Sequence, residues 1–392
     1  MNMLERLDAS LQLPEEERML FASVQNLART QIARRAEHND RSAEFPWENV
    51  NAINTLGLNA MFIPEAYGGA PMSYLAYLAC VREISKACAS TGIIWATTFH
   101  GIKPVITYGS EEQKRRLLPR VAAGGLVSLV ITEAAAGSDA TGMKTRFAQQ
   151  GEDIVVTGSK IFITSGDIAD LLLVFGKWDG IADAKGAISA LVVEKGTPGL
   201  SVLRTEDKLG LRASSTAALS FDGCRVPRAN LLGEPGDGLK ILLASLNKSR
   251  PSVAAHALGI ARAAFEDAIA YINERRQSGR RIIEFQGIQF MLADLASELA
   301  LCERWLWHVG ALVDAGEDDM GIEASTLKLR ASDLAMRMAT EAVQLFGGYG
   351  YCKDYRVERL MRDAKITQIW EGTNQIHRQL IGRSFMNKKS AA

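Results

Sequence analysis

The apolar periodicity of this chain changes twice, and no single motif constrains its fold as strongly. From Pro14 to about Gly124, apolar residues recur every three or four positions, as in EEERMLFASVQNLARTQIARRAEH and YLAYLACVREISKACASTGIIWATTFHG, the spacing of amphipathic helices. Between about Leu126 and Gly238 the pattern becomes short β-branched runs separated by turn residues, such as EDIVVTGSKIFITSG, ADLLLVFGK and GAISALVVEKG. Helical spacing returns from Leu239 onward. A chain of 392 residues is also too long for one simple core. The expected architecture is α+β: an N-terminal helical domain over 1–125, a small β-barrel domain over 126–238 and a four-helix-bundle-like C-terminal domain over 239–392.

Three stripes define the last region. Ala254, Leu258, Ala261, Phe265, Ala268 and Ile272 form one, Ile288, Leu292, Leu295, Leu299, Cys302 and Leu306 a second, and Leu327, Ala331, Leu334, Met338, Ala342 and Leu345 a third. Three long amphipathic helices imply an antiparallel bundle. Gly109 to Gln113 reads as a cap opening a short helix. In the β region, Gly158-Ser159 between Ile154–Thr157 and Lys160–Thr164 predicts a hairpin turn.

Charge narrows the partners. Lys plus Arg equals Asp plus Glu, 45 against 45, so the chain as a whole lacks the basic footprint of a nucleic-acid or anionic-membrane binder. Cys80, Cys88, Cys224, Cys302 and Cys352 are scattered without a CxxC pair, which indicates reduced thiols rather than a zinc site or a disulfide framework. The N-terminus has neither a secretory nor a transit pattern, and no run reaches the roughly 18 apolar residues of a membrane helix. A cytoplasmic location is the default expectation.

Fingerprints for Rossmann, P-loop and zincin sites are missing. Gly347-Gly348-Tyr349-Gly350 resembles a phosphate loop only loosely, and as the end of a helical stripe it reads as a C-cap turn. Thr132 to Asp139 packs hydroxyls and small residues after a strand-like run. It is either a ligand-binding loop or an ordinary turn in which Asp139 bonds its own backbone. Phe162 and Thr164 are two apart on a strand and so share a face. Glu274 to Arg281 is a basic connector whose arginines suit phosphate recognition. His38, His100, His256, His308 and His377 show no triad or metal spacing and read as packing or surface side chains. Glu371, beside Trp370 and Gly372, is a carboxylate with an aromatic neighbour and a flexible backbone, which suits a general base in a partly dry pocket.

Three longer segments carry a resemblance. ITEAAAGSD from Ile131 is similar to the T-E-x-x-A-G-S-D signature of the acyl-CoA dehydrogenase family, ERRQSGRRIIEFQGIQFMLA from Glu274 to its E-R-x-x-F-G segment, and RDAKITQIWEGTNQIHR to its I-Y-E-G-T segment. The resemblance implies a helical, β-barrel, helical-bundle fold and an FAD shared across a subunit interface of a homodimer or homotetramer. Leu129, Ile131, Thr132, Ser138, Phe162 and Thr164 would lie around the flavin ring and ribityl chain, with Thr373 and Gln375 from the same subunit. Arg275, Gln277, Phe285, Gln286, Gln344 and Gly348 would serve the adenine and pyrophosphate of a neighbour's FAD. Ser138, Asn247, Arg250 and Gly372 would contact substrate, and helical positions such as Trp95 and Thr98 would form the pocket floor.

Glu371 matches the catalytic base that removes the α-proton of an acyl-CoA as a hydride leaves the β-carbon, giving a trans-2-enoyl-CoA. The same resemblance implies an electron-transfer flavoprotein as partner. A free carboxylate, at about pKa 4.3, is weak for a carbon acid, so the chemistry requires a site from which substrate and cofactor exclude water. The isovaleryl-type branch places its base at the position of Ser249, which is not acidic here. Phe162 replaces a frequent Trp, Ser278 a Phe, Ala134 a Pro and Trp370 a Tyr, and Asn247 replaces a frequent acidic residue. Two alternatives share the fold: a dehydrogenase acting on acyl groups carried by an acyl carrier protein, and a flavin-binding member without catalysis.

Overall fold

The computed structural model describes residues 3–317 and 319–386. Seven helices open the chain: α1 (Met3–Ala9), α2 (Glu15–Leu27), α3 (Ala33–Ser42), α4 (Trp47–Thr55), α5 (Tyr74–Ala87), α6 (Ala89–Tyr108) and α7 (Glu111–Ala122). The cap expected at Ser110 is a full capping box: Ser110 Oγ accepts from Gln113 N–H, and Gln113 Oε1 accepts from Ser110 N–H.

Eight strands follow: β1 (Val127–Val130), β2 (Arg146–Gln150), β3 (Asp153–Thr164), β4 (Leu171–Trp178), β5 (Ile188–Glu194), β6 (Leu200–Thr205), β7 (Thr216–Pro227) and β8 (Leu231–Leu232). They form one sheet in the order β6-β7-β3-β2-β4-β5-β8, with β1 running parallel to β4. β4 and β5 read as continuous apolar runs because they are buried on both faces. Leu172 and Val174 of β4 join a core with Phe147, Val156 and Phe221, whereas Leu171, Leu173 and Phe175 face α6 and α7 through Val105, Leu117 and Val121.

The hairpin expected at Gly158-Ser159 is not formed. β3 is one continuous strand paired with β7, and the glycine marks a bulge in that pairing between Val156 and Gly158. Its reason is close approach: a Cβ on Gly158 would lie 2.6 Å from Thr145 Oγ1 and 2.8 Å from Thr145 Cα.

The rest is helical: α8 (Gly238–Glu274), α9 (Gln286–Asp314), α10 (Gly321–Phe346), α11 (Val357–Ile366) and α12 (Asn374–Ser384). All residues of the first and third stripes are buried along α8 and α10, and the second runs down α9 from half-buried Ile288 and Leu292 to buried Leu295 and Leu306. The basic connector is a two-stranded ribbon, Arg276–Gln277 (β9) against Arg280–Arg281 (β10), turned by Ser278 and Gly279 at φ +51° and +77°. α5 packs into the same core as α8, so the first and last helical regions share one apolar interior.

Candidate active site

The segment Trp370 to Thr373 leaves the end of α11 and reaches α12 in a turn that few sequences accept. Glu371 has φ +52° and Gly372 φ +93°, both left-handed, and a side chain at Gly372 would press on the His377 ring at 3.1 Å. The turn is fastened on three sides. Lys328 of α10 donates to Gly372 O (2.7 Å) and Asn374 Oδ1 (3.1 Å), Asn374 also engages Ser332 and Asp333, and Thr373 caps α12 by accepting from Ile376 N–H. Burial pushes the Lys328 ammonium down to about 7, opposed by the Glu371 carboxylate. Trp370 meets the His256 ring edge-on at 5.6 Å.

The result is a half-buried carboxylate at the edge of a cavity of ≈ 520 Å³. Ser249 Oγ donates to Glu371 Oε2 at 2.6 Å, while Oε1 makes no hydrogen bond to the described residues. Arg250 is buried beside it. Desolvation lowers the guanidinium's affinity for its proton, the Glu371 charge opposes this, and its Nε has no partner among the described residues.

Two groups of residues line this cavity. One is made by β1, the loop after it and the end of β3: Leu129, Ile131, Thr132, Ser138, Phe162 and Thr164. The other is helical, with Ile93, Thr97 and His100 of α6 and Val253 of α8. Phe162 has φ +58° in a second bulge of β3, between Lys160 and Ile163, so the simple alternation expected to put it on the face of Thr164 is broken. Both side chains nonetheless line the cavity. The Thr132–Asp139 loop lines the cavity with Thr132, Glu133, Ala134, Gly137 and Ser138, while Asp139 accepts from Thr141 N–H and Oγ1–H. The loop is anchored by Glu133, which accepts from Lys144 N–H, Thr145 N–H, Thr145 Oγ1–H and the buried Lys160 ammonium at 2.9 Å.

A second cavity, ≈ 660 Å³, contains Arg275, Gln277, Gln344 and Gly348 of the expected nucleotide set. The other expected residues line neither cavity. Phe285 lies under the Arg280 guanidinium at the start of α9, with Gln286 exposed next to it, and Gln375 is exposed on α12. Asn247 stands beside the N-terminus of α10, where a Cβ on Gly321 would be 3.3 Å from its Oδ1. Trp95 and Thr98 do not line this cavity. Trp95 turns into an aromatic cluster with Phe62 and Tyr77, and Thr98 bonds Ile94 O. Thr97 and His100, on the adjacent face of α6, take their place. A helical position's direction depends on the phase of the whole helix, so spacing alone does not identify them.

Comparison with known proteins gives this arrangement a context. Residues 14–125, 128–224 and 236–386 match the N-terminal, middle and C-terminal domains of acyl-CoA dehydrogenases in that order. The chain belongs to the acyl-CoA dehydrogenase family. It is 43% identical over 375 residues to the probable acyl-CoA dehydrogenase fadE25 of Mycobacterium leprae, covering 95% of this chain and 96% of that one. The fold superposes on butyryl-CoA dehydrogenase from Megasphaera elsdenii with a TM-score of 0.93, at 35% identity over 96% of this chain and 99% of that one. An equal TM-score, at 38% identity over 96% of this chain and 100% of the other, relates it to a chain solved in work on the electron transferring flavoprotein of Acidaminococcus fermentans.

Acyl-CoA dehydrogenases are FAD-dependent oxidoreductases, and the β wall fits a flavin. Leu129, Ile131 and Phe162 give the cavity an apolar lining of the kind a flat ring requires. The hydroxyls of Thr132, Ser138 and Thr164 make no hydrogen bond to the described residues and are open to its polar edge.

Proposed function

We propose that this acyl-CoA dehydrogenase oxidises the Cα–Cβ bond of an acyl-CoA thioester to a trans-2-enoyl-CoA, with Glu371 as the general base. The observation that carries the reading is the Glu371 carboxylate itself, held at the cavity edge by a left-handed backbone and by Ser249, with one oxygen left for a substrate proton. FAD, when bound, supplies the acceptor for the hydride that leaves Cβ. Ser249 fixes the carboxylate's rotamer by occupying Oε2, so the ordering cost is met before substrate arrives. Trp370 and the helical wall exclude water from the α-carbon, and donors at the thioester carbonyl, among them the Glu371 N–H, would stabilise the enolate charge. Leu129, Ile131, Thr132, Ser138, Phe162, Thr164 and Thr373 would hold the flavin end of FAD. Arg275, Gln277, Gln344 and Gly348 would hold the nucleotide end of a neighbour's FAD in a homodimer or homotetramer. An electron-transfer flavoprotein is the proposed oxidant of the reduced enzyme.

Glu371→Gln tests the base. The variant is expected to stay yellow and to bind acyl-CoA, yet to lose anaerobic flavin reduction by about 10³-fold or more, the scale of a positioned general base. Reduction at nearly the parental rate would remove Glu371 from the mechanism.

A further inference from the structure

The helical wall contains one polar side chain that no described residue engages and one engaged on one side only. Thr97 and His100 are 7% and 4% exposed, yet both line the cavity beside Glu371. Buried polar groups are ordinarily paired within the protein, because an unpaired one forfeits its hydration for nothing. The Thr97 hydroxyl makes no hydrogen bond to the described residues.

His100 is half engaged, and we assign its tautomer from its neighbours. Ser252 Oγ has one proton and lies 2.8 Å from Ser249 O, an acceptor that offers no proton in return. With that proton given to Ser249 O, the 2.5 Å contact between His100 Nε2 and Ser252 Oγ uses the imidazole's own N–H. Burial disfavours the imidazolium, opposed by the Glu371 charge, and in the neutral ring so assigned Nδ1 is a bare acceptor without a partner among the described residues. α6 holds the two groups one turn apart, three residues in sequence, and Ile93 four residues before Thr97 completes the same lining face.

We propose, resting on the dehydrogenase reading above, that His100 with Thr97 is a specificity anchor for an acyl group bearing a hydroxyl beyond its β-carbon. The hydroxyl donates to His100 Nδ1 and pairs with the Thr97 hydroxyl. A purely alkyl chain of the same length leaves both groups unpaired, and a site built to hydrogen-bond a hydroxyl discriminates strongly against the analogue that lacks it. A terminal carboxylate, which has no proton to give, would meet the lone pair of Nδ1 and be disfavoured.

The test compares butyryl-CoA with 4-hydroxybutyryl-CoA, titrated calorimetrically into FAD-loaded Glu371→Gln protein and into the same protein carrying His100→Leu or His100→Gln. The hydroxylated ester is expected to bind at least about tenfold more tightly in the Glu371→Gln protein, as one hydrogen bond supplies. That preference should vanish with His100→Leu and survive with His100→Gln, whose amide oxygen preserves an acceptor. Equal affinities, or a preference unmoved by His100→Leu, would overturn the anchor and leave the dehydrogenase reading standing. Binding of neither ester would overturn both. Should His100→Leu fail to fold, Thr97→Val makes the same comparison with an expected loss of several-fold, and an unchanged ratio there counts against the anchor.

Discussion

Glu371 and Gly372 are consecutive left-handed residues, and a glutamate does not adopt φ +52° without support. The support comes from Lys328, whose ammonium joins Gly372 O and Asn374 Oδ1. Replacing it with methionine removes the ammonium donor from Gly372 O and leaves Asn374 Oδ1 with Ser332 alone, a loss of about 1–3 kcal/mol. We expect Lys328→Met to lower the denaturation midpoint and to reduce the rate of flavin reduction more than it weakens acyl-CoA binding. Stopped-flow rates at saturating substrate, beside equilibrium binding, separate the two effects. Glu371 is legible from its sequence neighbours because the local requirement, an aromatic side chain before it and a glycine after it, is written in consecutive residues. Lys328 and His100 are not. Each gains its role from a partner brought in by folding, Gly372 at 44 positions' remove and Ser252 at 152.

At the level of elements, the helices are readable because each shows a buried stripe of its own, and α8, α9 and α10 follow the expected stripes residue by residue. β3 departs from expectation for the opposite reason. Its two bulges answer to β7 and to Thr145, which local sequence does not reveal, and Gly158 imitates a turn glycine. The crossing of α5 and α8 is equally non-local. A Cβ on Gly259 would lie 2.4 Å from Arg82 O and 2.8 Å from Ser85 Cβ, so the helices touch through the glycine's missing side chain. Gly259→Ala improves helix propensity by about 1 kcal/mol, but it must push α8 away from α5 against the buried Arg82–Glu303–Arg262 ion pairs that join them. The expected outcome is net destabilisation of about 1–3 kcal/mol, the range for overpacked cores, measured by urea unfolding. A stabilised Gly259→Ala variant would show that the crossing has slack.

For the molecule as a whole, three separately patterned regions meet at one site: α6 from the first, β1 and β3 from the second, α8 and the Glu371 turn from the third. The order of regions can be read along the chain, while the cavity exists only where they converge. Acid stability is also a property of this shared interior. Burial lowers His256 to about 4 and, with help from Lys328 and Arg250, His377 to about 3. Both are neutral in the fold, so their contribution is present above the unfolded value near 6.5 and is lost as pH falls toward the folded values. Unfolding free energy should fall between pH 6.5 and 4 by up to about 1.4 kcal/mol per pH unit for each histidine. Denaturation at stepped pH should show a shallower slope in His377→Gln, and an identical slope would exclude that group.

Helix α10 contributes to both cavities. Lys328 near its start grips the Glu371 turn, and Gln344 near its end lines the second cavity. The 16 steps from one to the other, 344 minus 328, make a rod of about 24 Å at 1.5 Å per residue, so the helix acts as a ruler as well as a support. Length in this segment is therefore quantised. One inserted residue would leave Lys328 at its post while swinging Gln344 about 100° around the axis, out of its cavity. Loops around the molecule can drift in length between relatives, but the gauge between these two cavities cannot change by a single residue without disengaging one of them.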